Sequence, residues 1–223
     1  GKGSLTDEIL SKKPKSLILI EKDSKLAFNL KKKYLNKKLI KIYNEDILKF
    51  DLENKIKTGS KILGNLPYNI SSQILVKILK FKKWPPNFKD LIFMFQKELA
   101  ERIIGKFPSK KYGRLSIISS FRFEIMNKFY ISPNCFSPKP KIDSMIIHFQ
   151  PRMNNEYNIK KISNLEKITN ILFSNRRKMI NKNIKKILSQ EKINEISNLQ
   201  INLRPTDLSP DTYYKITESF EAD

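Results

Sequence analysis

Gly64-Asn65-Leu66-Pro67-Tyr68-Asn69-Ile70-Ser71 lies between a short apolar run, Lys61-Ile62-Leu63, and an amphipathic run from Ile70 to Phe81. That order predicts a strand, a tight polar turn and a helix. In an open parallel sheet such a turn sits at the carboxyl end of a strand, where these folds bind ligands. The side-chain amide of Asn65 offers an acceptor and two donors without charge. Pro67 holds its own φ and biases Leu66 toward extended geometry, which gives the Leu66 carbonyl a defined direction. Tyr68 supplies a flat face for a stacked base. Two acceptors beside a stacking ring suit a planar ligand with an exocyclic amino group, such as adenine. Taken alone, Asn-X-Pro-Tyr is equally a plain turn after a strand. The rest of the chain decides.

Working toward the N-terminus, the third strand is Leu39 to Tyr43, and Asp46 follows it, placed either to take the amino group of a cofactor adenine or simply to form a turn. Before it, Ser16 to Ile20 reads as a buried strand that ends at Glu21. A carboxylate closing the second strand of a doubly wound sheet is placed to accept from ribose hydroxyls; in isolation a solvated or helix-capping acid reads the same. Asp23 or Ser24 caps the intervening helix through Leu26, Leu30 and Leu35. Gly1 and Gly3 precede the acidic first turn Asp7-Glu8, a pattern that fits a loop bringing backbone N–H groups to a ligand. The chain starts without Met, and a preceding N-terminal segment is expected.

Beyond the turn, Asp90 to Gln96 is a buried strand followed by a helix to Ile104. Gly105 to Tyr112 is a basic loop, and Gly113 to Ser120 is expected to be helical. Phe123 to Ile131 and Ser144 to Gln150 read as two late antiparallel strands. Between them, three prolines stiffen a loop that carries Phe136, Lys139 and Lys141. Held stiffly, an exposed Phe136 loses little entropy when a base stacks on it, though residue type alone favours the core. Lys139 and Lys141 are placed to meet phosphates. His148, among apolar neighbours, reads as structural.

From residue 152 the pattern is all-helical: Leu165 to Phe173, Met179 to Leu188, and a last helix capped by Ser209-Pro210 and running to Phe220. Arg176-Arg177-Lys178 lies between the first two, either an RNA-phosphate clamp or a surface patch at a helix end. Two domains are therefore expected, 1–151 and 152–223.

Forty-four Lys and Arg face 22 Asp and Glu across 223 residues, a net charge of +22. That excess favours a polyanion, although a lysine-rich proteome gives the same balance. A single cysteine, Cys135, rules out an internal disulfide and a cysteine-built zinc site, and one histidine rules out a histidine-rich metal site. No metal is expected. The longest apolar stretch, Leu91 to Phe95, is far too short to span a bilayer. A cytoplasmic protein, not bound to a membrane, is expected.

With these pieces in order, the chain resembles the small-subunit ribosomal RNA adenine dimethyltransferases, the kasugamycin-sensitivity family. Gly1-Lys2-Gly3-Ser4-Leu5-Thr6 resembles the end of the family's Gly-rich cofactor loop. Ile20-Glu21-Lys22-Asp23 resembles its ribose-binding block and Glu45-Asp46-Ile47-Leu48 its adenine-binding block, although Glu45 stands where a glycine is common. Gly64 to Ser71 is similar to the catalytic signature. Gln96-Lys97-Glu98, Tyr112-Gly113-Arg114-Leu115-Ser116, Phe136 to Ser144, and Asn175-Arg176-Arg177-Lys178 resemble later blocks.

The resemblance implies a Rossmann-like class I S-adenosylmethionine methyltransferase, α/β with a mostly parallel sheet and a late antiparallel strand, plus a small helical C-terminal domain. It also implies that the family's N-terminal segment, first strand and first loop glycine precede Gly1. The implied reaction transfers methyl groups to N6 of adenines in small-subunit rRNA, with S-adenosylhomocysteine as product and a 30S precursor as partner of a monomeric enzyme. Asn65, Leu66, Pro67, Tyr68 and Phe136 are the implied catalytic set. Gly1, Gly3, Glu21, Asp46 and Asn65 are the implied cofactor set, and Arg114, Lys139, Lys141, Arg176, Arg177 and Lys178 the implied RNA contacts. Two alternatives remain: the erythromycin-resistance methyltransferases of large-subunit RNA, and a non-catalytic assembly or transcription factor on the same scaffold. A DNA adenine methyltransferase fits less well, because its turn usually has an acid or Asn before two prolines.

Overall fold

The computed structural model describes residues 1–136 and 142–222. They form six strands and ten α-helices arranged as two compact units, Gly1–Lys55 and Ile56–Asp223.

In the first unit, α1 (Ser4–Ser11), β1 (Leu17–Ile20), α2 (Ser24–Lys33), β2 (Ile40–Tyr43) and α3 (Leu52–Lys55) alternate in the βαβ manner. The parallel ladder pairs Leu17 with Ile40 and Ile20 with Tyr43. Asp23 caps α2, accepting from the Leu26 N–H at 2.8 Å, which satisfies one of the orphan donors at that end. Ala27 and Leu30 turn inward beneath the lysines. Tyr34, just past α2, donates to the Gly3 carbonyl and to Asp7 at 3.1 and 2.8 Å, tying the start of α1 to the end of α2.

The second unit holds β3 (Ser60–Asn65), α4 (Ser71–Leu79), β4 (Phe88–Gln96), α5 (Lys97–Ile103), α6 (Arg114–Arg122), β5 (Phe123–Ile131) and β6 (Ser144–Pro151), then α7 (Ile162–Phe173), α8 (Asn181–Ile184), α9 (Gln190–Glu195) and α10 (Pro210–Glu221). Its sheet order is β3-β4-β6-β5, with β3 and β4 parallel and β6 antiparallel to both neighbours. The late strands thus pair as expected, but β6 is inserted beside β4 and leaves β5 as the edge. Leu91, Phe95, Met145, Ile147 and Phe149 are fully buried on one face. Each such side chain contributes about 1.5–3 kcal/mol relative to exposure.

Within the units, β1 pairs with β2 and β3 with β4, all parallel, in the α/β arrangement expected from the sequence. The alternation of strand and helix is as read. α8 is shorter than the helix expected over Met179–Leu188. After Ile184 the chain tightens into i→i+3 bonds, Lys186 N–H to Asn183 and Ile187 N–H to Ile184, as helix ends often do.

Residues 152–222 lie within the second unit, so its hydrogen bonds run through the composition change at 151/152. Arg152 N–H donates to the Arg122 carbonyl at 2.8 Å. Tyr112 donates to the Leu208 carbonyl and Tyr214 to the Ile117 carbonyl, at 2.9 and 3.0 Å. Burial pushes the Tyr214 phenol up to about 12, so it stays a neutral donor at ordinary pH. Arg122, nearly buried, donates to the Leu79 and Phe81 carbonyls at the end of α4 and lies over the Trp84 ring. That bonding makes a buried guanidinium tolerable and fixes the far end of the helix that starts at the Asn65 turn.

Asp90 on β4 crosslinks the sheet. His148 and Gln150 on β6 reach one carboxylate oxygen at 2.7 and 2.9 Å, and Lys61 on β3 reaches the other at 3.2 Å. Burial alone would raise this carboxyl, but bonding to Gln150, His148 and Lys61 outweighs it and brings the group from 3.8 to about 2. The ionised form is therefore stabilised by folding. This contribution is present above pH 4, amounts to about 2 kcal/mol, and disappears as pH falls toward 2. Urea unfolding of the protein and Asp90→Asn should show a gap of that size near neutral pH, closing between pH 4 and 2. A gap constant across that window would contradict the assignment.

Candidate active site

In the second unit the turn that carries Asn65 begins where β3 ends. Gly64 is in register with Phe93 and Asn65 with Met94. Side chains alternate along a strand, so Lys61, Leu63 and Asn65 share the exposed face. The Asn65 amide makes no hydrogen bond among the described residues. It is exposed at the carboxyl end of a strand and open to a ligand. Gly64 is needed for steric reasons. A Cβ there would lie 2.6 Å from Leu66 Cδ2 and 3.1 Å from the Phe93 ring.

After Leu66-Pro67, the Ile70 N–H bonds back to the Pro67 carbonyl at 3.1 Å and α4 starts at Ser71. Ser71 Oγ, fully buried, donates to the Tyr68 carbonyl at 3.1 Å. The Tyr68 hydroxyl lies 2.7 Å from Ser144 Oγ at the start of β6. Phe136 follows a 3-10 turn, Pro133–Cys135, with its N–H bonded to the Pro133 carbonyl and its side chain half-buried. The fully tucked core position that its residue type favours is therefore not adopted. Lys139 and Lys141 lie outside the described residues.

In the first unit, Glu21 and Asp46 follow the carboxyl ends of β1 and β2. Asn44 Nδ2 donates to the Glu21 and Lys22 carbonyls at 3.0 and 3.1 Å, bracing the two strand ends together. Glu21 accepts from the Asp23 N–H at 3.0 Å and from the Gly1 amino group. Asp46 accepts from Lys22 at 2.8 Å and from the Leu48 N–H at 2.9 Å. The Lys22 ammonium and then that backbone N–H hold its carboxyl below the usual range. Gly3 caps α1 at φ 90°, and a Cβ there would fall 2.7 Å from the Tyr34 hydroxyl oxygen. Two half-buried carboxyl groups and a loop that requires glycine at position 3 fit the hydroxyls and amino group of a nucleoside cofactor.

Among the described RNA candidates, Arg176 is tied to the loop that precedes Arg114. Arg176 donates to the Lys110 and Tyr112 carbonyls at 3.2 and 3.3 Å. This bonding joins the Arg176-Arg177-Lys178 turn to the basic loop before Arg114. Arg114 opens α6, and its Nε is buried with no hydrogen-bond partner among the described residues. Lys111 is paired with Glu101 at 2.8 Å, whereas Arg177 and Lys178 are exposed. Arg176 is thus partly committed to the protein's own backbone. Sequence reasoning missed that bond along with Ser71, Asn44 and the Tyr68–Ser144 pair, since each joins elements by short polar side chains with no periodic signature.

Strand-end acids on a parallel β1–β2 pair, and a β3 turn presenting Asn65 ahead of α4, define a class I S-adenosylmethionine-dependent methyltransferase. The fold is that of a dimethyladenosine transferase from Plasmodium falciparum, with a TM-score of 0.75 at 22% identity over 100% of this chain and 87% of that one. It is also that of the 23S rRNA methyltransferase ErmE, with a TM-score of 0.70 at 20% identity over 99% and 88%. The family described as ribosomal RNA adenine dimethylase matches residues 1–222. The ribosomal RNA small subunit methyltransferase A of Pelagibacter ubique is 44% identical, across 99% of this chain and 84% of that protein. Its namesake in Malacoplasma penetrans is 37% identical, across 99% and 79%. The chain belongs to the ribosomal RNA adenine dimethylase family.

Proposed function

We propose that the protein dimethylates N6 of adenines in small-subunit rRNA, using S-adenosylmethionine, on a 30S precursor in the cytoplasm and as a monomer. The observation that carries the chemistry is the exposed Asn65 amide at the end of β3, without a hydrogen bond among the described residues. When bound, S-adenosylmethionine supplies an electrophilic methyl group on a sulfonium. The lone pair of an adenine amine is delocalised into its ring and has to be freed. Asn65 Oδ1 and the Leu66 carbonyl accept its two N–H groups, so that the nitrogen can pyramidalise. This is positioning together with stabilisation of charge developing on nitrogen. Pro67 holds the Leu66 carbonyl in place. Tyr68 and Phe136 stack on the base, taken out of any stack it had. Glu21 accepts from the cofactor ribose, Asp46 from its adenine amine, and Gly1 and Gly3 line its loop.

Residues 1–151 act as the methyltransferase domain and 152–223 as the helical RNA-binding domain. Arg114, Arg177, Lys178, Lys139 and Lys141 meet phosphates, and Arg176 holds the basic turn against the loop at Lys110. The large-subunit alternative is not favoured, because the named relatives carry the small-subunit name while ErmE shares the fold at 20% identity.

The test is incubation with labelled cofactor and unmodified small subunits, followed by mapping of the modified base. Dimethylated adenine in small-subunit rRNA is expected, and label confined to large-subunit RNA would refute the proposal. In the same assay Arg177→Gln with Lys178→Gln should raise KM for the subunit, flatten its salt dependence by about one unit of slope per lost phosphate contact, and leave cofactor binding intact.

A further inference from the structure

The Tyr68 hydroxyl and Ser144 Oγ meet at 2.7 Å across 76 residues of chain, and either can donate. Ser144 is wholly buried. A buried hydroxyl has to be bonded to something, and such a pair can be no more than a satisfied polar contact. Its position indicates a larger role. Ser144 opens β6 and is clamped on both sides, in register with Gln96 of β4 and Ile131 of β5. The Ile131–Ser144 pair closes the loop that carries Phe136. Just before it, the Lys97 N–H donates to the Asp143 carbonyl at 2.9 Å and the Lys97 ammonium lies 3.6 Å from the Asp143 carboxylate. Tyr68 is meanwhile held through its carbonyl by the buried Ser71 hydroxyl. The tyrosine is therefore tied at its backbone and at its hydroxyl, and neither bond uses a face of the ring.

We infer that Ser144 is a positioning residue for methyl transfer. Its hydroxyl sets the direction of the Tyr68 ring from a backbone that is itself fixed between β4 and β5. A residue remote from the turn thereby governs how the Tyr68 ring is presented to a base. The inference rests on the reading of Tyr68 as an adenine-stacking ring.

Ser144→Ala and Tyr68→Phe each remove the bond while leaving the ring in place. Each should lower kcat about three- to tenfold, the fold-change of one net hydrogen bond, with KM for the small subunit and cofactor affinity unchanged. The double variant should be no slower than either single one. Effects that multiply in the double variant, or a fall confined to KM, overturn the positioning role. If Ser144→Ala does not fold, Tyr68→Phe decides alone: wild-type kcat in that variant overturns the inference. Tyr68→Ala separates this inference from its premise. If it retains the wild-type rate, the stacking reading fails and takes the inference with it. If it is strongly impaired while the Ser144 and Tyr68 hydroxyls prove independent, only the positioning role fails.

Discussion

Replacing Asn65 with alanine should lower the rate of methyl transfer by about a hundred- to a thousandfold, the usual cost of losing one preorganised polar group at a reacting centre. The cofactor should still bind with ordinary affinity, because most of its proposed contacts come from Glu21, Asp46 and the Gly1–Gly3 loop. The fold should also survive, since Asn65 is exposed and its amide bonds to nothing else among the described residues. Asn65→Asp keeps an acceptor oxygen and should lose less than Asn65→Ala. Single-turnover transfer of labelled methyl to unmodified small subunits, with calorimetric cofactor binding, separates these effects. A wild-type single-turnover rate in Asn65→Ala would remove Asn65 from the chemistry.

Gly64→Ala should come next in size, by a different route. The added methyl group would press on Leu66 Cδ2 and on the Phe93 ring, which is 2% exposed. The Leu66 side chain can swing aside, but Phe93 is packed in the core of the sheet and yields little. Overpacking of this kind typically costs about 1–3 kcal/mol. Any relief displaces the Asn65-Leu66 pair whose two oxygens are proposed to grip the amine, so activity should fall at least tenfold, more than stability alone accounts for. Gly113→Ala is the control: its Cβ would come no closer than 4.0 Å to the Phe173 ring, and it should be near neutral in thermal unfolding. Equal activity in Gly64→Ala and the unaltered protein, at temperatures where both are folded, would show that the turn tolerates the shift.

Much of this architecture could be read locally. Ile74, Leu75, Ile78 and Leu79 recur at helical spacing and are all buried in α4, because a 3.6-residue period leaves a helix only one way to hide them. Asp23 and Ser209 cap their helices as their residue types predict. The turn between β3 and α4 was legible because proline restricts two residues by sterics alone. Less was visible wherever polar side chains join distant segments. Nothing around Arg176 announces that it bonds to the carbonyls of Lys110 and Tyr112, and His148 gave no sign of sharing Asp90 with Gln150 and Lys61. The composition change at residue 152 suggested a separate appendage, yet Tyr112 and Tyr214 bond across it.

Periodicity, caps and the restricted backbone around Pro67 are near-neighbour effects, and they were enough to specify a tight polar turn between a strand and a helix; the adenine-amine reading of that turn came from the resemblance of the ordered motifs to a known family. How that turn is held belonged to contacts between segments remote in sequence: Arg122 on the last carbonyls of α4, and Ser144 against Tyr68. Such bonds form only after the sheet has brought their partners together. A hydroxyl or guanidinium looks the same in the chain whether it will be solvated or buried against a partner some forty to eighty residues away.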